Sequence, residues 1–342
     1  NSYDLPWPNF FIVGATRSGT SSLYEYLNDT KGIFMSSTML ELMQATSNEL
    51  GLVAPTYVAG NTSQDVVQIL ALMNRAGYDL LKEYDWQALQ KEYRFYTQFV
   101  NTTGSSTTNG YVITNVQDFV AQDGTDIDST YMVTGSSFPQ DTYVVSIDKN
   151  AGTVLVNQKC SATQSASGSV LFSKTQYDLP PDYHTITDRT QWDKSKHWEM
   201  LGPEDAQQWQ WLKSGYISTG PRIRWRILDD KFQTWPPMTT QEYLGFEYRS
   251  KGWARSASGD VKNSMTADSD TSLFADRIMV LGTKLKFFQI KNFDTTALLQ
   301  DYNRYLSVAK ADDKGSPNLS FAPYPAKVLI GWANIPDTGY GS

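Results

Sequence analysis

The sequence predicts an α+β fold made of a helical hub, an inserted small antiparallel β domain, a Trp-rich β platform and an extended C-terminal arm. Three observations predict it. Apolar residues recur at helical spacing near both ends of the region 38–311, and the stretch between them is rich in Thr, Ser, Gly and Val. Seven of the ten tryptophans lie between Trp192 and Trp253. Aromatic residues at that density favour a stiff β surface with large side chains on both faces.

The hub is predicted from four helices, two at each end of this region. Thr38 and Glu41 have the spacing of a capping box at the start of the first helix, which is expected to stop at Gly51. A second capping box over 62–65 precedes an apolar stripe that runs to Tyr84. The third and fourth helices are expected over about 270–290 and 295–311. We expect the four to pack together, so the hub takes in residues 35–96 and 263–321.

Residues 97–176 predict the inserted β domain, because they contain few helix formers and many turn residues. Short strands are expected at 131–135, 143–147 and 153–156. The chain therefore leaves the hub for this domain and returns to the hub later.

Residues 177–262 predict the platform, with strands expected at 222–228, 231–235 and 241–253. Charged and apolar residues alternate through the first of these strands, which places its three arginines on one face. From residue 322 onward, prolines at 323, 325 and 336 exclude a long helix, so residues 322–342 are expected to extend as the C-terminal arm.

Length, net charge, cysteine content and the length of apolar runs limit the classes of function that the chain is expected to have. With 342 residues the chain can form two or three compact units. A net charge of −7 argues against a general nucleic-acid binder, because Lys and Arg supply most of the affinity for phosphates. The single Cys160 allows no disulfide within the chain and fits a reducing cytoplasm. No apolar run approaches the roughly 20 residues that cross a bilayer, so a soluble protein without membrane contact is expected.

A series of motifs from Leu179 to Trp253 resembles the head-to-tail adaptor (connector) proteins of short-tailed bacteriophages. That family has L-P-x-D-[FY], then D-R-T-x-W, then W-x-W-L-K-S-G, then T-G-P-R-x-R-[WY]-R-I. The matching residues are Leu179, Pro180, Asp182, Tyr183, Asp188, Arg189, Thr190 and Trp192, followed by 209–215 and 219–227. The similarity resumes at 40–86 and 301–323, so it covers most of the chain after Met35.

The resemblance implies a structural virion protein at the head–tail junction, made in the host cytoplasm, with no enzymatic activity and no cofactor. It implies a homo-oligomeric ring of about twelve copies that binds the portal protein and the tail nozzle or tail fibre proteins. Genomic DNA would pass through its channel without specific binding, and an acidic wall would suit that passage. A closed ring needs one face of each subunit to fit the opposite face of the next.

Two sets of residues are candidates for these contacts. For the subunit interface they are Trp209, Trp211, Arg222, Arg224, Trp225 and Arg226, with the arginines expected to pair with carboxylates of a neighbouring subunit. For insertion of the C-terminal arm between portal subunits they are Tyr324, Trp332, Ile335 and Tyr340. The β domain is expected to project outward, toward tail or fibre proteins.

The first 34 residues carry the alternative, an enzyme. A strand at 10–13, a polar turn at 14–22 and a helix start at 23–27 would gather backbone N–H groups around an anion. This segment resembles the opening of sulfotransferases, in which the loop holds the 5′-phosphosulfate of the donor. The resemblance assigns the phosphate contacts to Arg17, Ser18, Gly19, Thr20 and Ser21. It ends near Met35, and the preferred interpretation is an appended strand–turn–helix segment or a wrongly assigned one.

A third alternative is a secreted or surface-exposed β-rich binding module, which the Ser- and Thr-rich middle suggests and the four helices oppose. The remaining candidate groups favour structural roles. His184 and His197 have no Cys or carboxylate neighbours at metal-ligand spacing. Cys160 is expected to be a small buried side chain. The aspartates Asp123, Asp126 and Asp128 are expected to form a solvated turn, so no metal is predicted.

Overall fold

The computed structural model of the protein describes residues 37–214 and 222–314. The described chain combines α-helices with antiparallel sheets, which confirms the predicted α+β class. Its helices are α1 (Met39–Leu50), α2 (Gln64–Glu83), α3 (Ala206–Lys213), α4 (Asp276–Lys291) and α5 (Thr296–Lys314). No helix among these residues is both long enough and apolar enough to cross a membrane.

Local sequence signals explain how α1 begins and ends. The Thr38 hydroxyl accepts from the Glu41 backbone N–H, and the Glu41 carboxylate accepts from the Thr38 backbone N–H, so the predicted capping box is confirmed. Gly51 ends the helix in the left-handed conformation, with φ of 72°. The second predicted capping box is wrong, because Ser63, which caps α2, makes no side-chain cap hydrogen bond.

Helices from the two ends of the described chain share one hydrophobic core. α4 packs against α1, α2 and α5, and ion pairs reinforce these contacts, since Glu49 binds both Arg277 and Lys284 at 2.7 Å. The core residues from these helices include Met39, Met43, Ile69, Met73, Ile278, Met279 and Leu306. Trp253, which was predicted to belong to the platform, lies in this core with no solvent exposure.

The described residues form eighteen strands, which lie between α2 and α4 in the chain. They are β1 (Gln90–Tyr96), β2 (Phe99–Thr103), β3 (Ser105–Ser106), β4 (Val112–Thr114), β5 (Tyr131–Thr134), β6 (Thr142–Asp148), β7 (Thr153–Val156), β8 (Ser169–Lys174), β9 (Gln176–Asp178), β10 (Tyr183–Ile186), β11 (Trp192–Asp193), β12 (Trp198–Glu199), β13 (Arg224–Leu228), β14 (Lys231–Trp235), β15 (Tyr243–Ser250), β16 (Ala254–Arg255), β17 (Val261–Lys262) and β18 (Thr271–Ser272).

Strands β2 to β8 form one antiparallel sheet in the order β2-β8-β5-β6-β7-β4-β3. It has a hydrophobic core of its own, in which Ile113, Tyr131, Val154, Val170 and Phe172 are fully buried. The three strands expected from sequence in this region are present as β5, β6 and β7, and β7 has the expected bounds.

Two further sheets lie face to face over an aromatic core. One contains β1, β10, β11, β12 and β15, and the other has the order β13-β14-β9. The Phe232 ring of β14 stacks on Trp225 at 5.5 Å and on Phe246 of β15 at 5.1 Å between centroids. A small sheet of β16, β17 and β18 connects this region to α4. The predicted platform is therefore divided among several structures rather than forming one surface.

Two helices differ from the prediction, one in its presence and one in its starting residue. The motif W-x-W-L-K-S-G was placed in the β platform, but α3 covers most of it, because Asp205 caps the Gln208 backbone N–H at 2.7 Å. The helix expected from about 270 begins at Asp276 instead. Asp270 is engaged in a turn, where its carboxylate accepts from the backbone N–H groups of Thr266 and Ala267.

Candidate interaction surfaces

The tryptophans proposed for subunit contacts are mostly buried within the chain itself. Trp209 is 2% exposed and Trp225 1% exposed, so neither ring can reach a neighbouring subunit. Trp225 belongs to the aromatic core between the two facing sheets, and Trp209 packs with Met132, Leu212 and Trp235. This placement corrects their assignment as interface residues. In the same helix as Trp209, Trp211 is 50% exposed and remains available.

The arginines of β13 also find partners inside the chain. Arg224 forms an ion pair with Glu204, whose side chain is 7% exposed. Arg226 lies over the Trp209 ring at 4.5 Å and donates to the Gln233 side chain at 2.9 Å. Burial lowers the pKa of Arg226. Arg224 thus has a carboxylate partner in its own chain, and its pairing with a neighbour's carboxylates stays a prediction. Arg222 is exposed.

Helix α3 joins the seven-stranded sheet to the strands that follow it. Its Lys213 pairs with Asp141 at 2.7 Å and lies over the Tyr143 ring at 4.9 Å. Trp209 contributes to the same contact through Met132 of β5. The motif containing these residues thus fixes the position of one sheet relative to the rest of the chain.

Several exposed apolar side chains lie on the last two helices and the turn between them, a set we call the helical apolar surface. Burial of only one side of α5, through Tyr302, Leu306 and Ala309, leaves the remaining large side chains in solvent. The surface consists of Ile290, Phe293, Leu299, Tyr305 and Val308, each between 42% and 57% exposed. Sequence periodicity alone missed it, because the pattern identifies the apolar residues of α5 but not how many of them α4 covers.

An open cavity of about 600 Å³ lies on the solvent face of the five-stranded sheet, and we call it the β11 cavity. It is lined by Glu92, Arg189, Thr190, Trp192, Asp193, Lys194, His197 and Glu247. Trp192 is half-buried in its wall. Its cross-strand partner in β15 is Gly245, which has no side chain to cover the indole ring. A Cβ at Gly245 would lie 2.8 Å from Cε of Lys194, so the glycine also leaves room for the lysine stem.

Two acidic groups of the β11 cavity, Glu92 and Asp193, have pKa values that are shifted in opposite directions. Hydrogen bonds from Arg94 and Lys194 hold the pKa of Glu92 down at about 2. Burial raises the pKa of Asp193, and the nearby carboxylate of Glu242 acts in the same direction. Asp193 Oδ1 accepts from the backbone N–H groups of Ser195 and Lys196, which holds the turn between β11 and β12.

Two residues of the β11 cavity have an unusual backbone conformation. Among the described residues other than glycine, eight have positive φ, and six of these are Asn or Asp, which tolerate the left-handed region. The other two are Arg189, with φ of 60°, and His197, with φ of 58°, and both line the cavity. For an arginine this conformation costs roughly 1–2 kcal/mol. Within the described chain neither side chain makes a hydrogen bond or ion pair.

The sequence matches no known protein-family model and no curated protein.

The remaining candidates from the sequence divide between described and undescribed residues. The arm residues Tyr324, Trp332, Ile335 and Tyr340 and the loop residues Arg17, Ser18, Gly19, Thr20 and Ser21 lie outside the described residues. Cys160 is 2% exposed, and burial raises the pKa of its thiol. Burial, with help from the cation of Arg249, lowers the pKa of His184.

The three aspartates expected to form a solvated turn are used in turns and an ion pair. Asp123 accepts from Thr125, Asp128 accepts from Thr130, and Asp126 pairs with Lys149. Within residues 37–214 and 222–314, no group of three or more His, Cys, Asp or Glu side chains is placed to hold a metal ion.

Proposed function

We propose that this chain is the subunit of a head-to-tail adaptor of a short-tailed bacteriophage. In this function it is a structural virion protein without catalytic activity that forms a ring, expected to contain about twelve copies, beneath the portal. The ring extends the DNA channel and provides the attachment site for tail nozzle or tail fibre proteins. Its helical hub and inserted β domain are the expected architecture of such a subunit.

The observation that carries the proposal is the order of the sequence motifs between Leu179 and Trp253. The roles of the motif residues in the fold support a scaffold protein. Asp182 of the first motif binds three side chains, Trp209 of the third packs between sheets, and Trp225 of the fourth lies in an aromatic core. Residues with such contacts stabilise the fold. None of the three is placed to contact a substrate.

A ring also needs a contact surface on each subunit, and the helical apolar surface is the best candidate in the described chain. Interface cores are apolar and rich in aromatic residues, and this surface includes Phe293 and Tyr305. Trp211 and Arg222, two of the residues predicted for the subunit interface from sequence, are also exposed. They are compatible with a second subunit contact, away from the helical apolar surface. The C-terminal arm supplies the proposed contact with the portal through Tyr324, Trp332, Ile335 and Tyr340.

The test is sedimentation velocity of the purified chain, alone and mixed with its cognate portal ring. We expect a small species alone and co-sedimentation with the portal at one subunit per portal subunit. Removal of residues 322–342 should abolish co-sedimentation without lowering the thermal midpoint, because the sequence predicts these residues as an arm outside the hub. A chain that lacks residues 1–34 is the matched control and should still bind the portal.

Failure of the full chain to bind the portal would overturn the proposal. Binding that survives removal of residues 322–342 would overturn only the role of the arm. The alternative, a sulfotransferase-like enzyme, predicts binding of the sulfonate-donor nucleotide that is lost in Thr20→Ala. Detection of that binding in a chain that ignores the portal would favour the enzyme.

A further inference from the structure

We propose that the β11 cavity binds an uncharged, hydroxyl-rich ligand, specifically the pyranose rings of an oligosaccharide. This site is independent of the proposed ring and portal functions, which do not require it. Its volume of about 600 Å³ falls within the range of small-molecule sites, roughly 300–1,000 Å³.

The backbone conformation of Arg189 indicates that its side chain is held for a ligand. Its left-handed conformation, with φ of 60°, would be free of strain for glycine, yet the chain has an arginine there. Nothing in the described chain accepts a hydrogen bond from its guanidinium group, so the fold gains no evident contact from this side chain. Strained residues cluster at ligand sites, where a side chain is held in position for a partner that is not part of the fold.

The lining residues carry charges of both signs, which disfavours a ligand of either sign alone. Glu92, Asp193 and Glu247 are acidic, Arg189 and Lys194 are basic, and Glu92 is already paired with Lys194. The same residues supply hydrogen-bond acceptors and donors side by side, and His197 and Thr190 can do both. A neutral ligand with many hydroxyl groups can satisfy such a mixed set, because each hydroxyl both donates and accepts.

The aromatic wall favours a sugar over a peptide. Trp192 is only half-buried and lines the cavity, and the apolar C–H face of a pyranose can pack against the part of an aromatic ring that is open to solvent. A common mode of binding for an extended peptide is addition to a free strand edge. Strand β11 offers no such edge at the cavity, because it pairs with β12 on one side and β15 on the other.

The experiment is saturation-transfer NMR on the full chain with a panel of neutral trisaccharides built from glucose, galactose, mannose or N-acetylglucosamine. Triglycine and sodium sulfate are the peptide and anion probes. We expect transfer to the ring protons of at least one trisaccharide at millimolar concentration and none to triglycine. Sulfate should not compete with the sugar.

Three variants locate the binding. Trp192→Ala and Arg189→Gly should each weaken the sugar affinity about tenfold or more, while Trp198→Ala should leave it unchanged. Trp198 is the matched control, because it is a 39% exposed tryptophan on the adjacent strand β12 outside the cavity lining. Arg189→Gly should keep or raise the thermal midpoint, because glycine adopts this backbone freely.

The proposal is overturned if no trisaccharide in the panel binds, or if binding survives both Trp192→Ala and Arg189→Gly. It is also overturned if triglycine or sulfate binds in place of the sugars. A large fall in the thermal midpoint of Arg189→Gly would show that the arginine stabilises the fold, and it would overturn the assignment of Arg189 to the ligand site. None of these outcomes bears on co-sedimentation with the portal, which tests the ring function separately.

Discussion

Asp182 shows how one residue of a recognisable motif fixes several elements at once. Its Oδ1 accepts from the Tyr248 hydroxyl at 2.8 Å, and its Oδ2 accepts from Lys91 at 2.5 Å and from Ser250 at 2.6 Å. These bonds fasten the loop before β10 to strands β1 and β15. Burial alone would raise the pKa of Asp182, but the hydrogen bonds from Lys91, Ser250 and Tyr248 outweigh it and hold the pKa below its usual value.

We predict that Asp182→Asn lowers the free energy of unfolding by roughly 1.5–3 kcal/mol at neutral pH, because a charged acceptor of three hydrogen bonds is lost. The folded-state pKa of Asp182 is lowered, so the unfolded chain binds its proton first as the pH falls. The stabilisation is therefore complete above about pH 4 and is lost as the pH falls through the folded-state pKa.

Urea unfolding of both proteins, from about pH 6 down to about pH 3, measures this difference. The matched control is Asp126→Asn, since the Asp126–Lys149 pair is exposed by 46% on each side and should contribute about 0–1 kcal/mol. A difference between the wild type and Asp182→Asn that stays constant down to the lowest pH would contradict the assignment.

At the scale of single elements, the sequence predicts best where the deciding contacts are local. The capping box of Thr38 and Glu41 and the left-handed Gly51 fix α1 with residues that lie within one or two turns. The start of α4 depended instead on distant groups. Asp276, not Asp270, begins that helix, and its carboxylate accepts from both the backbone N–H and the hydroxyl of Ser37, 239 residues away.

Which of the described tryptophans are buried also depends on contacts that the sequence does not show. Trp253 leaves the predicted platform for the helical core because Gly77 of α2 has no side chain there. A Cβ on Gly77 would lie 2.5 Å from the Trp253 ring. Density of aromatic residues predicts that a region packs tightly, but the partner surface selects which rings are buried. The β11 cavity was missed for the same reason, since it combines residues from β1, β11, β15 and two turns.

Helix α3 offers a direct test of this division between buried and exposed tryptophans. Trp209→Ala should lower the free energy of unfolding by about 3–5 kcal/mol, because it empties a buried site at 2% exposure. Trp211→Ala, two residues away, should change it by less than about 0.5 kcal/mol, because that ring is 50% exposed. Chemical denaturation of the two variants makes the comparison, and equal losses would show that the ring of Trp211 is also packed.

At the scale of the whole molecule, exposed apolar side chains occur in several places, and two of these can be compared directly. The helical apolar surface has its members on α4, α5 and the turn between them, while Val145 of β6 lies on the seven-stranded sheet, where Val112 and Leu155 are also exposed. Val145 and Val308 are nearly equally exposed, at 52% and 53%. Exposure alone therefore cannot identify a contact surface. The helical set contains two exposed aromatic residues, Phe293 and Tyr305, and aromatic residues are enriched in interface cores.

This contrast gives a prediction about assembly on the portal. Val308→Ser should weaken co-sedimentation of the chain with the portal ring about tenfold or more. Each subunit contact would lose up to about 1–1.5 kcal/mol of apolar burial, because Val308 is 53% exposed in the subunit, and the loss recurs around the ring. Val145→Ser changes the same side chain at the same exposure and should assemble as the wild type does. Both variants should retain the wild-type thermal midpoint, since neither valine is buried in the subunit. If Val145→Ser fails to assemble and Val308→Ser assembles normally, the subunits meet through the inserted β domain instead of the helices.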